Sequence, residues 1–586
     1  MTISLSKFDG MAPRVAPRQL NPTMAQMALN CKLWSTLAPF KEPKIINTPT
    51  RAGTKKTIYL IGQSPVSTPA GSHPIAGAPI NGMVLNGEGQ PIIAPTVDGS
   101  ELDASAGIWL HWTGDVNVAR GFVQNDTSDR VYYTGDGVPK VTDVTLAVDG
   151  GTDYPMTFYN LGVPFPSIAP TVATAAGSGS ADTRTYVTTF VTGWGEESSP
   201  SDASAIITTT TAQSVVVTRA ATPPVGAYNI THWRVYRVNT GTSGAEYQLV
   251  NTGDGGVGGD TVGDIPIATT TYTDSVVSTM LGEVLPTLGW LPPPSNLSGL
   301  INLPNGGMAG FYSNTLCFCE PWKPYAWPIK YQLTTDTDIV AIAACSAGVV
   351  VTTTRGVYLC AGSDPASMSM IKLNSPQACA SKRSMVSFVG GVAYASPDGI
   401  MATNGGEPVN MTDAYFTRDE WQALNPKSMN ACIHDGRYYC FYDNGTTQGG
   451  FIIDPTNSVA GLIFIDTYAT AVFSDALTDA LYLMTGINIV KWDAGTTNKV
   501  FLWKSKVFTH NKPSSMSYGQ VFAAQYPVKV LYYGDGVLRH TQNANNDKPY
   551  RLPSGFKCRD WEVAVESDKE VYSVFAAENL EILKNA

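Results

Sequence analysis

Apolar and polar residues alternate with a period of two along most of the chain, in short runs broken by Gly, Pro, Asn and Asp. That period sends successive side chains to opposite faces of a pleated strand, so the pattern predicts many short strands and few helices. Clear runs are KTIYLIG, GIWLHW and DRVYYTGDG within residues 57–142, TRTYVTTFVT and WRVYRVNTG farther on, and WKSKVF, VKVLYYGDG and WEVAVESDKEVYSVF near the end. The last is expected to turn at Asp568 and Lys569 and close a small β unit. AENLEILKNA frames a short helix or a terminal strand.

One helical signal interrupts this pattern. In NPTMAQMALNCKLW, Asn21 can cap, Pro22 takes the first helical position, and Met24, Met27, Ala28 and Cys31 recur at i, i+3, i+4 and i+7. A lone amphipathic helix of this length is marginal in water. Its face of Met24, Met27 and Cys31 is therefore expected to dock on the body of the protein or on a neighbouring subunit, and removing residues 1–50 to impair assembly more than folding.

Past Trp290 the pattern becomes repetitive. GGMAGFYSNTLCFCE, VAIAACSAGVVVTTTRGVYLC, MVSFVGGVAYASPDGIMATNGG, ACIHDGRYYCFYDNGTTQGGFIID and TAVFSDALTDALYLMTGINIVKWD each read as strand, Gly turn, strand. Their starts lie roughly 30 to 45 residues apart, the spacing of propeller blades, and five units call for completion by strands from elsewhere, with residues 57–142 the candidate. Residues 166–285 form a separate module whose GWGEESSPS turn and RVYR strand resemble a fibronectin type III sandwich, and about 110 residues suit one such sandwich. The fold class is thus mainly β. It comprises an N-terminal arm (1–50), a β platform (51–165), the fibronectin type III-like module (166–285), propeller blades (286–498) and a small C-terminal β unit (499–586). The Gly/Pro-rich stretch from Ser64 to Ala106 has little to bury and reads as a surface excursion.

Composition narrows the function classes. At 586 residues the chain has room for several cores, and 15% charged residues with 55 Gly and 39 Pro fit a β-rich, turn-rich body. A net charge of −10 argues against a surface built to neutralise nucleic-acid phosphates, while leaving room for an acidic wall that DNA slides past. Nine cysteines, an odd number scattered through apolar runs, predict buried free thiols of the kind found after folding in a reducing cytoplasm. MTISLSKFDG lacks the basic-then-apolar pattern of a secretory leader, and IVAIAACSAGVVV is too short to span a membrane, so neither a leader nor a span is expected.

The search for chemistry yields turns rather than sites. Gly253, Gly255 and Gly258 have dinucleotide-fingerprint spacing, but GDTVGDIPIATT follows where a helix N-terminus would be needed. Asp254, Asp260 and Asp264 lack the spacing and closing Glu of a calcium loop. Cys317 and Cys319 share one strand face without a second pair at zinc-ligand spacing, and His73, His111, His232, His434, His510 and His540 are dispersed. There is no nucleophile elbow, HExxH or phosphate loop, and Asp136, Asp398, Asp435 and Asp535 each precede Gly, the signature of a tight hairpin turn. No catalytic residue, metal ligand or cofactor is assigned, and Asp398→Asn or His434→Ala should abolish no chemistry. EPWKPYAWP crowds Trp322, Tyr325 and Trp327 among three prolines. It suits either a stacking platform for a sugar or the closure of a sheet edge; coming straight after FYSNTLCFCE, where the chain leaves a blade, it is expected to be closure.

The order of these phrases is more specific than any one of them. PRQLNPTMAQMALNCKLWSTLAPFKEP, DRVYYTGDGVPKV, TYVTTFVTGWGEESSPS, LPNGGMAGFYSNTLCFCEPWKPYAWP, CASKRSMVSFVGGVAYASPDGI and RLPSGFKCRDWEVAV together resemble the nozzle, or tail tubular protein B, of short-tailed bacteriophages. The resemblance implies a virion protein made in the host cytoplasm: a non-enzymatic propeller-based subunit of a homohexameric ring below the portal and adaptor rings, extending the channel for DNA ejection. Implied partners are the adaptor or another portal-proximal ring protein, tail fibre, spike or needle proteins, and double-stranded DNA passing without specific binding. The inserted module departs from the simplest members. Six copies at −10 would bring −60 to such a ring, and an acidic bore would repel DNA. The alternatives are a carbohydrate-binding adhesin or propeller glycosidase acting on the host envelope, and a secreted bacterial propeller with a fibronectin module.

Overall fold

A computed structural model describes the chain except residues 1, 34–35, 63–106, 124–125, 127, 176, 212, 240–245, 251–262, 458–459 and 585–586. The Ser64 to Ala106 stretch, His73, the glycines of GDGGVG, Asp254 and Asp260 thus lie outside the described residues. The rest is mainly β.

Each repeat seen in the sequence folds as an antiparallel meander. Ser298–Leu303, Gly307–Tyr312, Thr315–Phe318 and Gln332–Thr334 form the first four-stranded sheet. Ile339–Cys345, Gly348–Thr353, Val357–Ala361 and Ser369–Lys372 form the second, and Val386–Phe388, Gly391–Ser396, Gly399–Thr403 and Val409–Asn410 the third. The first strands of successive sheets pack side by side, as propeller blades do, and the series continues through Asn430–His434 to Ala471–Asp475. At one end Ala471–Asp475 packs on Thr57–Ile61, and at the other Ser298–Leu303 packs on Asn117–Arg120 and Val131–Thr134. Strands from residues 57–142 thus flank both ends of the blade series. Two Asp-Gly pairs make two-residue hairpins of type I′ sense: Asp435 and Gly436 have φ of 49° and 67°, Asp535 and Gly536 of 52° and 78°.

The N-terminal 50 residues are threaded through this body. Ala25–Leu29 is a strand, not the expected helix, lying between Phe501–Ser505, antiparallel, and Ile463–Ile465, parallel. A helix here would bury one face and leave its short ends to water, whereas a central strand pairs its backbone on both sides. A register shift between Ala25 and Met27 lets Ala25 and Ala28 both turn inward, mimicking helical spacing in the sequence. The presumed helix face is accordingly split: Met24 and Cys31 are buried, but Met27 is 43% exposed. Lys44–Asn47 supplies the outer strand of the fifth blade, beside Asn488–Lys491, and Thr2–Leu5 pairs with Val571–Ala577. Gly10 lies so close to Gly461 that an added Cβ would sit 2.7 Å from that residue's carbonyl carbon.

By this insertion the fourth blade runs on into the C-terminal unit as one ten-stranded sheet, from Asn430–His434 through Ala25–Leu29 to Val537–Ala544. The expected hairpin at Asp568 and Lys569 does not form. Cys558–Ser567 joins the ten-stranded sheet, while Val571–Ala577 enters a second sheet between Thr2–Leu5 and Tyr518–Ala523. Alternation in WEVAVESDKEVYSVF marks which residues face inward but not which strand lies alongside; both halves bury more by crossing between two sheets than by pairing with each other. Residues 580–584 are helical. All nine cysteines are free, and only Cys345 is not buried.

The inserted module is a two-sheet sandwich. Thr171–Thr174, Val215–Thr218 and Thr271–Asp274 face a sheet ordered Ile207–Thr210, Ala181–Thr192, Ile230–Asn239, Gln248–Leu249, the long central pair carrying most of the register. Tyr186, Phe190, Trp233 and Val235 fill its core.

Candidate functional site

EPWKPYAWP is the seat on which the sandwich meets the blades. Its prolines and backbone bonds set a compact loop in which Glu320 N–H donates to Ala326 O at 2.8 Å and Ala326 N–H to Lys323 O at 3.0 Å. Tyr325 and Ala326 point into the sandwich core, and the Tyr325 hydroxyl meets the backbone of Glu197. Trp327 points the other way, 1% exposed, into a cluster shared by the first blade and the strands Asn117–Arg120 and Val131–Thr134, its Nε1–H donating to Pro324 O at 2.8 Å. Trp322 differs from both. It is 55% exposed at φ 62°, a left-handed conformation rare for a bulky side chain, with its ring over Gly306, where a Cβ would sit 2.5 Å away, and edge-on to Phe122 at 5.9 Å. Two of the three aromatics are packing, and one is presented.

A buried charge cluster lines the same junction. Arg130 Nη1–H donates to Glu196 Oε1 at 2.7 Å, its Nε–H to Asp126 Oδ2 at 2.8 Å, and its guanidinium covers the Trp194 ring at 4.9 Å. Arg130 and Asp126 belong to the propeller side, Glu196 and Trp194 to the GWGEESSPS turn of the sandwich. Burial pushes the Glu196 carboxyl up, opposed by Arg130. The adjacent Glu197 takes Arg234 Nη1–H at 2.7 Å and the Tyr236 hydroxyl at 2.8 Å, while Asp264 takes Arg234 Nε–H at 2.5 Å. Deeper still, Asp274 accepts from Arg237 and from Tyr186 Oη–H. Asp264 is therefore engaged in an ion pair within the sandwich. The Arg130 and Arg234 clusters each set two carboxylates on one guanidinium, while Asp274 lies between Arg237 and Arg184; buried charges are tolerated only when paired in such ways.

Two shallow depressions open beside the first strands of the blades. One, about 270 Å³, lies where Thr57–Ile61, Ala471–Asp475 and Asn117–Arg120 meet, with Arg120 and Asp129 paired at 2.9 Å on its wall. Tyr59 lines it, its hydroxyl pushed up to about 12 chiefly by burial. The other, about 190 Å³, is lined by Asn117, Asn302, Lys382 and Ser387. Cys317 and Cys319 are both buried, as their spacing on one strand face suggested, and Cys319 Sγ accepts from Met308 N–H at 3.0 Å. Asp398 accepts from Gln377 Nε2–H at 2.8 Å and faces Arg418 at 3.2 Å, and Asp136 accepts from Lys140 Nζ–H at 2.8 Å, so both turn carboxylates are in structural pairs. Among the described residues no group of three or more His, Cys, Asp or Glu is placed to hold a metal, and no helix is long and apolar enough to cross a membrane. The Arg130–Glu196 junction was not readable from sequence: neither residue sits in a charge pattern, and the sole signal was the unusual run of Glu, Ser and Trp at 194–199.

Three histidines give the fold a pH dependence. Burial lowers His111, His434 and His510 below the ordinary 6.5. A folded-state value below the unfolded one means stability is fully present above about 6.5 and drains as pH falls from there. Tm should therefore drop between pH about 7.5 and about 5.5, and His434→Gln should flatten that slope. Glu196 and Asp143, both raised by burial, act in the opposite sense, so the variant isolates the histidine part. A slope unchanged by the substitution contradicts the assignment.

No family model and no curated protein matches the chain. Among solved structures it is similar to BBS1N in complex with ARL6DN (9% identity, 48% of this chain and 87% of that one, TM-score 0.23). It is also similar to apo AztD from Citrobacter koseri (11% identity, 62% and 77%, TM-score 0.26) and to the CNH domain of AfRom2 (8% identity, 67% and 98%, TM-score 0.25). Likeness at these scores carries no argument about function, and the propeller-like body stands on the strand order itself.

Proposed function

We propose that the chain is a structural subunit of a short bacteriophage tail, a nozzle ring below the portal and adaptor that lengthens the channel for DNA. One observation carries this reading. The phrases that resemble the nozzle proteins fall on the elements that lock the parts of this chain together: Ala25–Leu29 at the centre of the ten-stranded sheet, Val131–Thr134 beside the Arg130 cluster, the EPWKPYAWP seat, and Cys558–Ser567. A part that bears mechanical load as genome passes through it gains from such interlocking, because the sandwich, blades and C-terminal unit then move as one body. In this reading six copies close the ring, fibre, spike or needle proteins meet it from outside, and the chain performs no catalysis.

Immunogold electron microscopy of particles from the source lysate, with an antibody to residues 170–281, tests the reading. Label around the distal end of a short tail supports it; bare particles with label on free protein or cell surfaces refute it. One feature favours the glycan-binding alternative, the exposed Trp322, and a glycan array on the wild type and Trp322→Ala tests that separately.

A further inference from the structure

The charge of this chain is unevenly divided. Residues 499–586 carry 12 Lys and Arg against 9 Asp and Glu, while residues 1–498 carry 26 against 39. The C-terminal unit is thus net positive by 3 on a molecule whose remainder is net negative by 13.

Four of these twelve positive residues lie close together. Arg559 Nη2–H reaches Asn511 O at 3.4 Å, which brings Lys512 beside the start of Cys558–Ser567. Arg539 lies over the Phe556 ring at 5.6 Å, next to Lys557, and its Cγ is within 3.2 Å of a Cβ built on Gly534. Lys512, Arg539, Lys557 and Arg559 are all exposed, and none forms an ion pair among the described residues. Two carboxylates lie nearby and leave the cations in excess: Asp535 accepts from the backbone N–H of Arg559 and Asp560 at 3.0 Å each and feels the charge of Arg539, and Asp560 pairs with Arg18 at 2.5 Å. The same edge is apolar as well. Among the described residues Val537–Ala544 ends the ten-stranded sheet with its outer side unpaired, and Val537 and Leu538 are 53% and 45% exposed.

We propose that this edge, centred on Lys512, Arg539, Lys557 and Arg559, is a docking surface for the acidic body of a second copy of the chain, giving a head-to-tail contact. A protein partner fits better than a phosphate backbone because exposed aliphatic side chains and an open strand edge adjoin the cations. The second copy is the partner because the complementary charge is on the same molecule. Different patches meet in such a contact, so it closes into a ring or continues as a filament, depending on the rotation. The inference rests on the ring reading for closure.

Sedimentation velocity of the full chain tests it at about 50 mM and about 500 mM NaCl, where screening is weak and strong. The wild type should associate at low salt and dissociate at high salt. The quadruple variant Lys512→Glu, Arg539→Glu, Lys557→Glu, Arg559→Glu should associate about tenfold more weakly or not at all at low salt. Lys512→Ala with Lys557→Ala, a milder change on exposed positions, should fall between and guards against misfolding. A wild type that stays monomeric at both salts, or variants that associate as it does, overturn the proposal. Binding of the wild type to a short DNA duplex, lost in the variants while self-association persists, overturns it in favour of phosphate recognition. Tail labelling with unaltered self-association in the variants would leave the nozzle reading intact and reject this surface alone.

Discussion

Deleting residues 1–50 should leave a chain that does not reach the native fold. The segment buries Ile3, Leu5, Phe8, Met11, Leu20, Met24, Leu37 and Phe40, each no more than 9% exposed. At about 1.5–3 kcal/mol for each large side chain, these amount to on the order of 10–20 kcal/mol, as much as the whole stability of a typical domain. The backbone loss compounds it: without Ala25–Leu29, Ile463–Ile465 and Phe501–Ser505 both lose a ladder partner in the middle of a sheet. Polar ties go too, among them Asn30 to Asp466 at 2.9 Å and Trp503 Nε1–H to Asp9 O at 3.1 Å. This reverses the expectation of an arm whose loss harms assembly before folding. Near-UV circular dichroism and denaturant unfolding of residues 51–586 check it, and a cooperative transition like that of the full chain would refute it.

Arg130→Ala should cost about 3–5 kcal/mol, the penalty for leaving buried carboxylates without their cation. Arg130 and Glu196 have side chains only 5% and 10% exposed, so solvent screening gives little relief. The same change removes the guanidinium from the Trp194 face. Arg130→Met combined with Glu196→Gln should cost less than Arg130→Ala alone, because of the two carboxylates only Asp126 then lacks its cation. A double-mutant cycle from denaturant midpoints measures this, and a single-variant loss below about 1 kcal/mol would mean that the junction is held by Tyr325, Ala326 and Trp327 instead.

Strand content and the repeating blades were legible because period-two alternation and Gly turns act locally. Asp435 and Asp535 were legible as turns for the same reason. What failed was pairing at a distance. Met24, Ala28 and Cys31 have helical spacing, but a register shift in a strand buries the same residues, and the deciding partners, Phe464 and Trp503, lie more than 400 residues away. At Asp568 and Lys569 the chain bends, but the two strands on either side belong to different sheets instead of pairing. In EPWKPYAWP, Tyr325 and Trp327 are buried and Trp322 is exposed; that Tyr325 enters the sandwich could not be read from the loop. Arg130 and Glu196 are unremarkable in sequence, because a buried ion pair is defined by what surrounds it.

The insertion of Ala25–Leu29 between strands from residues 463–465 and 501–505 also orders events during synthesis. At about 5–20 residues per second, Ala25–Leu29 waits tens of seconds on the ribosome before its partner strands have been made. The blades can fold as they leave the ribosome, but the seam between the fourth blade and the C-terminal unit closes only when both have appeared. Until then an apolar strand and two sheet edges stand open together on every nascent chain, and neighbouring chains on one messenger are the strands most easily mistaken for the right one.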